Sequence, residues 1–194
     1  KREGIITNTD LAAHVLAYFG ISRKAMMTGH KMISKSMDQP LEYLLKLNDI
    51  SVFNYKTRAA VVKTYIGYII VVLLLTFILM VYLKRYLYYV RPLLISILIT
   101  PTVLLFLPIF NPWNTARLTV SLILSVLVIS LAVSYLFKDN LTIFIVTCFF
   151  STGIILVDTF LKNPLMKVSI LGYDPIAGLR FYGIGNEYMG FLLG

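Results

Sequence analysis

Four long stretches of this chain are apolar on every side of a would-be helix, and the polar positions gather between and before them. Thr64–Leu83, Pro92–Phe110, Leu118–Phe137 and Leu141–Leu161 together contain one charged residue, Asp158. About twenty apolar residues in a helix cross the hydrocarbon core of a bilayer, so this pattern predicts four transmembrane spans. A fifth is expected to start near Asn186. Pro101 and Pro108 should kink the second span, and Thr100 and Thr102 are expected to serve the backbone groups so freed. Asn111-Pro112-Trp113-Asn114 and Lys138-Asp139-Asn140 are short polar turns. They make neighbouring spans antiparallel, with Trp113 at the interface.

The first third reads differently. Residues 2–7, with Ile5-Ile6, predict a short strand. Asn8-Thr9-Asp10 supplies helix-capping side chains, Leu11, Val15, Leu16 and Phe19 follow at helical spacing, and Gly20 ends the helix. Residues 22–37 are a polar, Met-rich loop. Asp38-Gln39-Pro40 opens a second helix, amphipathic through Leu41, Leu44, Leu45 and Leu47. That helix is expected on the membrane surface or against an extramembrane domain. The expected fold is therefore all-α and integral to the membrane, with four transmembrane helices, the start of a fifth and a short α/β remnant at the N-terminus. Residues 1–21 form the remnant, 22–63 a polar linker with the amphipathic helix, and 64–194 the membrane region.

Composition agrees. Hydrophobic residues make up 58%, charged residues 14%, and the mean hydropathy is +0.81. A soluble domain carries about one-quarter charged residues. The net charge of +9 fits anionic headgroups beside the spans. Nucleic acid is not the expected partner, because no basic face or stacking platform accompanies the charge. Cys148 is a single thiol within the fourth span and reads as a small buried hydrophobe. His14 and His30 are the only histidines, and neither has neighbours at metal-ligand spacing. No catalytic residue, metal or cofactor is expected in these residues. The chain opens on Lys1 and closes inside the apolar run Tyr188-Met189-Gly190-Phe191-Leu192-Leu193. Both ends are expected to be cut, with an upstream domain missing.

Candidate chemistry lies mainly between residues 172 and 190, a segment rich in glycine, aromatics and unlike charges. Asp174, Arg180, Tyr182, Asn186 and Glu187 form a candidate anion-binding or polar site. Arg180 can grip a carboxylate or phosphate with two hydrogen bonds, while Asp174 or Glu187 balances its charge. The alternative is a structural re-entrant turn in which Arg180 pairs with Glu187. Asp158 is an intramembrane carboxylate and a functional candidate by placement. It can equally snorkel to the interface or pair with Lys162.

Two segments carry a resemblance. Gly4-Ile5-Ile6-Thr7-Asn8-Thr9-Asp10-Leu11-Ala12-Ala13-His14-Val15-Leu16-Ala17-Tyr18-Phe19-Gly20-Ile21 resembles the closing strand and helix of alkaline-phosphatase-like domains, with Ala13-His14 where Pro-Thr is usual. The stretch from Arg180 to Gly190 resembles a motif of uncharacterised bacterial multipass membrane proteins, which carry such a domain outside the cytoplasm ahead of several spans. The resemblance implies an upstream metal-dependent phosphatase-like or phosphotransferase-like domain whose nucleophile and metal ligands lie outside this chain. It places residues 1–63 outside the cell membrane and the Lys84-Arg85-Arg91 turn in the cytoplasm, as positive-inside requires. The total basic count points the other way.

The expected function is the membrane part of a cell-envelope protein, anchoring or serving that extracytoplasmic domain. The alternative is a transporter or flippase-like bundle, with Asp158, Arg180 and Glu187 along a path for an anionic or lipid-linked substrate. The bilayer and the missing domain are the expected partners, and the sequence leaves the oligomeric state open.

Overall fold

The computed structural model describes residues 4–22, 27–110, 114–172 and 186–193. Among these residues six α-helices run in chain order: α1 (Asn8–Tyr18), α2 (Pro40–Tyr82), α3 (Leu87–Phe106), α4 (Thr115–Leu136), α5 (Asn140–Phe160) and α6 (Asn186–Leu193). One turn of 3-10 helix, Lys84–Tyr86, precedes α3, and another, Leu107–Phe110, follows it. No strand occurs among the described residues. Thr7 is extended, but residues 4–7 belong to no strand, so the described part of the expected strand does not form. Four helical segments, Pro40–Tyr82, Lys84–Phe110, Thr115–Leu136 and Asn140–Phe160, are long and apolar enough to cross a membrane. The chain is an all-α, multipass membrane protein.

The chain divides into two compact units, Lys1–Asp49 and Ile50–Gly194. In the first, α1 starts at Asn8, so Asp10 sits in its first turn and not at the cap. Its carboxylate accepts the N–H of Thr7 at 3.3 Å and that of His30 at 2.8 Å. Leu11 and Phe19, which follow at helical spacing, are 58% and 69% exposed.

The amphipathic helix and the first span are one helix. Nothing between Leu41 and Ile66 is Pro or Gly, so no residue stops α2 before it enters the apolar stretch. In the second unit α3 is central, and Ile95, Ile99, Val103, Leu104 and Leu105 are buried. Arg91 at its start donates to the carbonyl of Phe137 at 2.6 Å. That bond sets the beginning of α3 beside the end of α4 and confirms their antiparallel run. Asn114 caps α4 by accepting the N–H of Ala116 at 2.9 Å. Asp139 caps α5 through the N–H and hydroxyl of Thr142, both at 2.8 Å. Trp113 and the rest of 111–113 lie outside the described residues.

The carbonyls that the prolines leave free are satisfied in a way the local sequence did not suggest. A proline has no N–H for the carbonyl four residues before it. For Pro101 that carbonyl belongs to Ile97, and the Tyr65 hydroxyl from α2 donates to it at 2.7 Å. For Pro108 it belongs to Leu104, and the Ser169 hydroxyl donates to it at 2.9 Å. Thr100 and Thr102 are occupied elsewhere. Thr100 donates to the Ser96 carbonyl, and Thr102 to the Ser151 hydroxyl on α5.

Candidate functional site

Polar side chains converge at the end of the second unit where α3 and α5 finish. The segment from Leu161 to Gly172 follows α5 and is largely non-helical. Non-helical backbone is tolerated near the hydrocarbon only where protein buries it. Met166, Ser169, Ile170 and Leu171 are indeed buried. Three anchors hold the segment in place.

Asp158 is the first. It sits one turn before the end of α5 and is 3% exposed. Its two carboxylate oxygens accept the N–H groups of Leu165 at 2.9 Å and Met166 at 3.1 Å. The helix end beneath it closes with the N–H of Asn163 bonded to the Asp158 carbonyl at 2.7 Å. Lys162 and Asn163 take positive φ there, and Pro164 prevents the helix from resuming. The carboxylate therefore organises the turn, rather than snorkelling outward.

Ser169 is the second. Its proton is committed to the Leu104 carbonyl, so the fully buried Tyr188 of α6 donates to it at 2.7 Å. A relay from Tyr188 through Ser169 to Leu104 ties α6, the segment and α3 together.

The third anchor comes from α2. Asn54 donates to the Val168 carbonyl at 3.0 Å, and Arg58, one turn on, donates to the Gly172 carbonyl at 2.8 Å. Arg58 also forms an ion pair with Glu187 at the start of α6. Gly172 is required at this point, since a Cβ there would lie 1.7 Å from the Met166 carbonyl oxygen.

Family models, curated proteins and solved structures yield no match to this chain.

Of the residues singled out by sequence, Glu187 and Asp158 are at this end of the bundle, and Asn186 opens α6 with its side chain exposed. Asp174, Arg180 and Tyr182 lie outside the described residues. Among the described residues the partner of Glu187 is Arg58 of α2. The missed signal is a stripe on α2. Ser51, Asn54, Arg58, Val61, Tyr65, Tyr68 and Val72 recur at alternating intervals of three and four. That is the spacing of one inward helix face. Among the described residues no group of three His, Cys, Asp or Glu could hold a metal ion. Chemically the cluster is a set of charge-assisted and hydroxyl bonds that clamps an irregular segment, with Arg58 supplying two donors to it.

Proposed function

We propose that this chain is the membrane-embedded part of a bacterial cell-envelope protein, and that it anchors an extracytoplasmic phosphatase-like domain in the cell membrane. The observation that carries this reading is the exposed apolar surface of α1. Leu11, Val15, Tyr18 and Phe19 stand uncovered in the first unit, and an exposed apolar patch marks a protein or membrane contact. A domain packed there would cover it. Asp158 and Glu187, which a transport path would need, are engaged by Leu165, Met166 and Arg58. That arrangement supports a fixed anchor over a flippase-like bundle. An anion-binding role for residues 172–190 belongs to the same proposal.

Two measurements test the reading. Membranes holding the protein with its preceding segment should hydrolyse p-nitrophenyl phosphate in a metal-dependent manner. Lys31→Cys should react with an impermeant maleimide on intact cells. Absence of hydrolysis would defeat the phosphatase assignment, and reaction only after permeabilisation would reverse the orientation.

A further inference from the structure

A cavity of about 420 Å³ lies between α3, α4 and α5. That is within the size range of small-molecule sites. Its walls are aliphatic and aromatic, and no charged residue lines it. Phe110, Phe150 and Ile129 line it and are themselves exposed. Its mouth therefore opens sideways, toward the surroundings of spanning helices, which are acyl chains.

Four hydroxyls interrupt the apolar wall: Thr102, Ser125, Thr147 and Ser151. Thr102 donates to Ser151 at 2.8 Å, which leaves the Ser151 proton available. Thr147 is only 7% exposed and lines the cavity. It and Ser125 have no hydrogen-bond partner among the described residues. Thr57, Thr76, Thr100, Thr119 and Thr159 each donate to the carbonyl one turn back, the ordinary refuge of a hydroxyl in a helix. Thr147 does not take it, and it lines the cavity. A donor left without an acceptor beside apolar side chains is costly.

A plain hydrocarbon chain would fill the space but leave these donors unmet. Water would meet them but not wet the apolar remainder. An anion would find no cation. We propose that the cavity binds a neutral lipophile: a hydrocarbon body carrying one carbonyl, ether or hydroxyl oxygen, which Thr147 and its neighbouring hydroxyls engage. The site is separate from the Arg58 cluster and does not depend on an attached domain.

The test uses the full chain in phosphatidylcholine nanodiscs and two matched photoprobes, a long-chain diazirine alcohol and the same diazirine alkane. Labelling is mapped by mass spectrometry. The alcohol should label cavity-lining residues saturably and about fivefold more than the alkane, the worth of one hydrogen bond. Thr147→Val keeps the shape and should bring alcohol labelling down to the alkane level. Thr57→Val, outside the cavity, should not. If Thr147→Val does not elute as a single folded species, Ser125→Ala serves in its place. Competition by an isoprenoid quinone, an isoprenoid alcohol or a diacylglycerol would each support the site and tell the sources apart. Equal labelling by both probes, or unsaturable labelling spread over the outer faces of α2 and α4, would overturn it. Stronger competition by an isoprenyl phosphate than by the matching alcohol would overturn the neutral assignment.

Discussion

The hydroxyl of Tyr65 on α2 donates to the carbonyl of Ile97 on α3, the one carbonyl that Pro101 leaves without a backbone donor. Sequence creates the need in one helix and meets it from another. Tyr65→Phe should therefore destabilise the protein by about 1 kcal/mol in detergent. In a Pro101→Ala background the alanine N–H can take the Ile97 carbonyl, and the loss should largely disappear. A double-mutant cycle from thermal or denaturant unfolding measures this directly. Strict additivity of the two changes would mean that Tyr65 and Pro101 are not coupled.

Ser169 stands in the same relation to Leu104 and Pro108. Ser169→Ala breaks two bonds, since Tyr188 also loses its acceptor. It should cost more than Tyr188→Phe, with about 2 kcal/mol expected for the former. Equal unfolding midpoints for the two variants would contradict the direction of the relay.

Arg58 serves both Gly172 and Glu187, whereas Glu187 serves only Arg58 among the bonds described here. Arg58→Gln should thus cost more than Glu187→Gln, by about 1 kcal/mol. Limited proteolysis near residues 161–172 offers a second readout, with faster cleavage expected for Arg58→Gln. Unchanged cleavage would show that the clamp does not hold the segment.

Gly172→Ala tests packing instead of charge. A Cβ 1.7 Å from the Met166 carbonyl oxygen forces backbone to move. The penalty should be on the order of 2 kcal/mol, and Arg58→Gln added to it should cost less than it does alone, because the shifted Gly172 carbonyl has already left the guanidinium. Full additivity would place the strain elsewhere.

Asp139 lies in the turn before α5, outside the spans. The N–H of Thr142, and then its hydroxyl, hold the Asp139 carboxyl below the usual carboxylate range. A folded pKa below the unfolded one means that the stabilisation is complete above the unfolded pKa. It is lost as pH falls through the folded value. Stability of the wild type should therefore decline on acidification below about pH 4, and Asp139→Asn, still a capable cap, should flatten that part of the curve. An identical acid limb in both proteins would remove Asp139 from the explanation.

The spans were readable because lipid demands apolar side chains all round a helix, and the observed ends fall close to the expected ones for α4 and α5. The same uniformity hid how α2 packs. When nearly every residue is oily, hydrophobicity carries no phase, and the inward face is marked by its polar members: Asn54, Arg58, Tyr65 and Tyr68. The need for acceptors' partners at Pro101 and Pro108 was legible, but nearby threonines were the wrong donors, because the right ones lie far along the chain. Asp158 was legible as an intramembrane carboxylate, but its readings were a functional group, a snorkelling side chain or a partner of Lys162. Its actual partners, two backbone N–H groups seven and eight residues on, depend on a turn whose left-handed residues are Lys162 and Asn163, not glycine. No glycine announced it.

Side chains of similar greasiness can slide past each other in a bilayer with little change in energy. A carbonyl bared by proline is different, because it exists at a single height on α3. Displacing α2 by even one turn would strand the Ile97 oxygen and the Tyr65 hydroxyl together. The prolines thus act as notches that fix the vertical register of neighbouring elements, and the residue that weakens the helix locally is what makes its assembly specific.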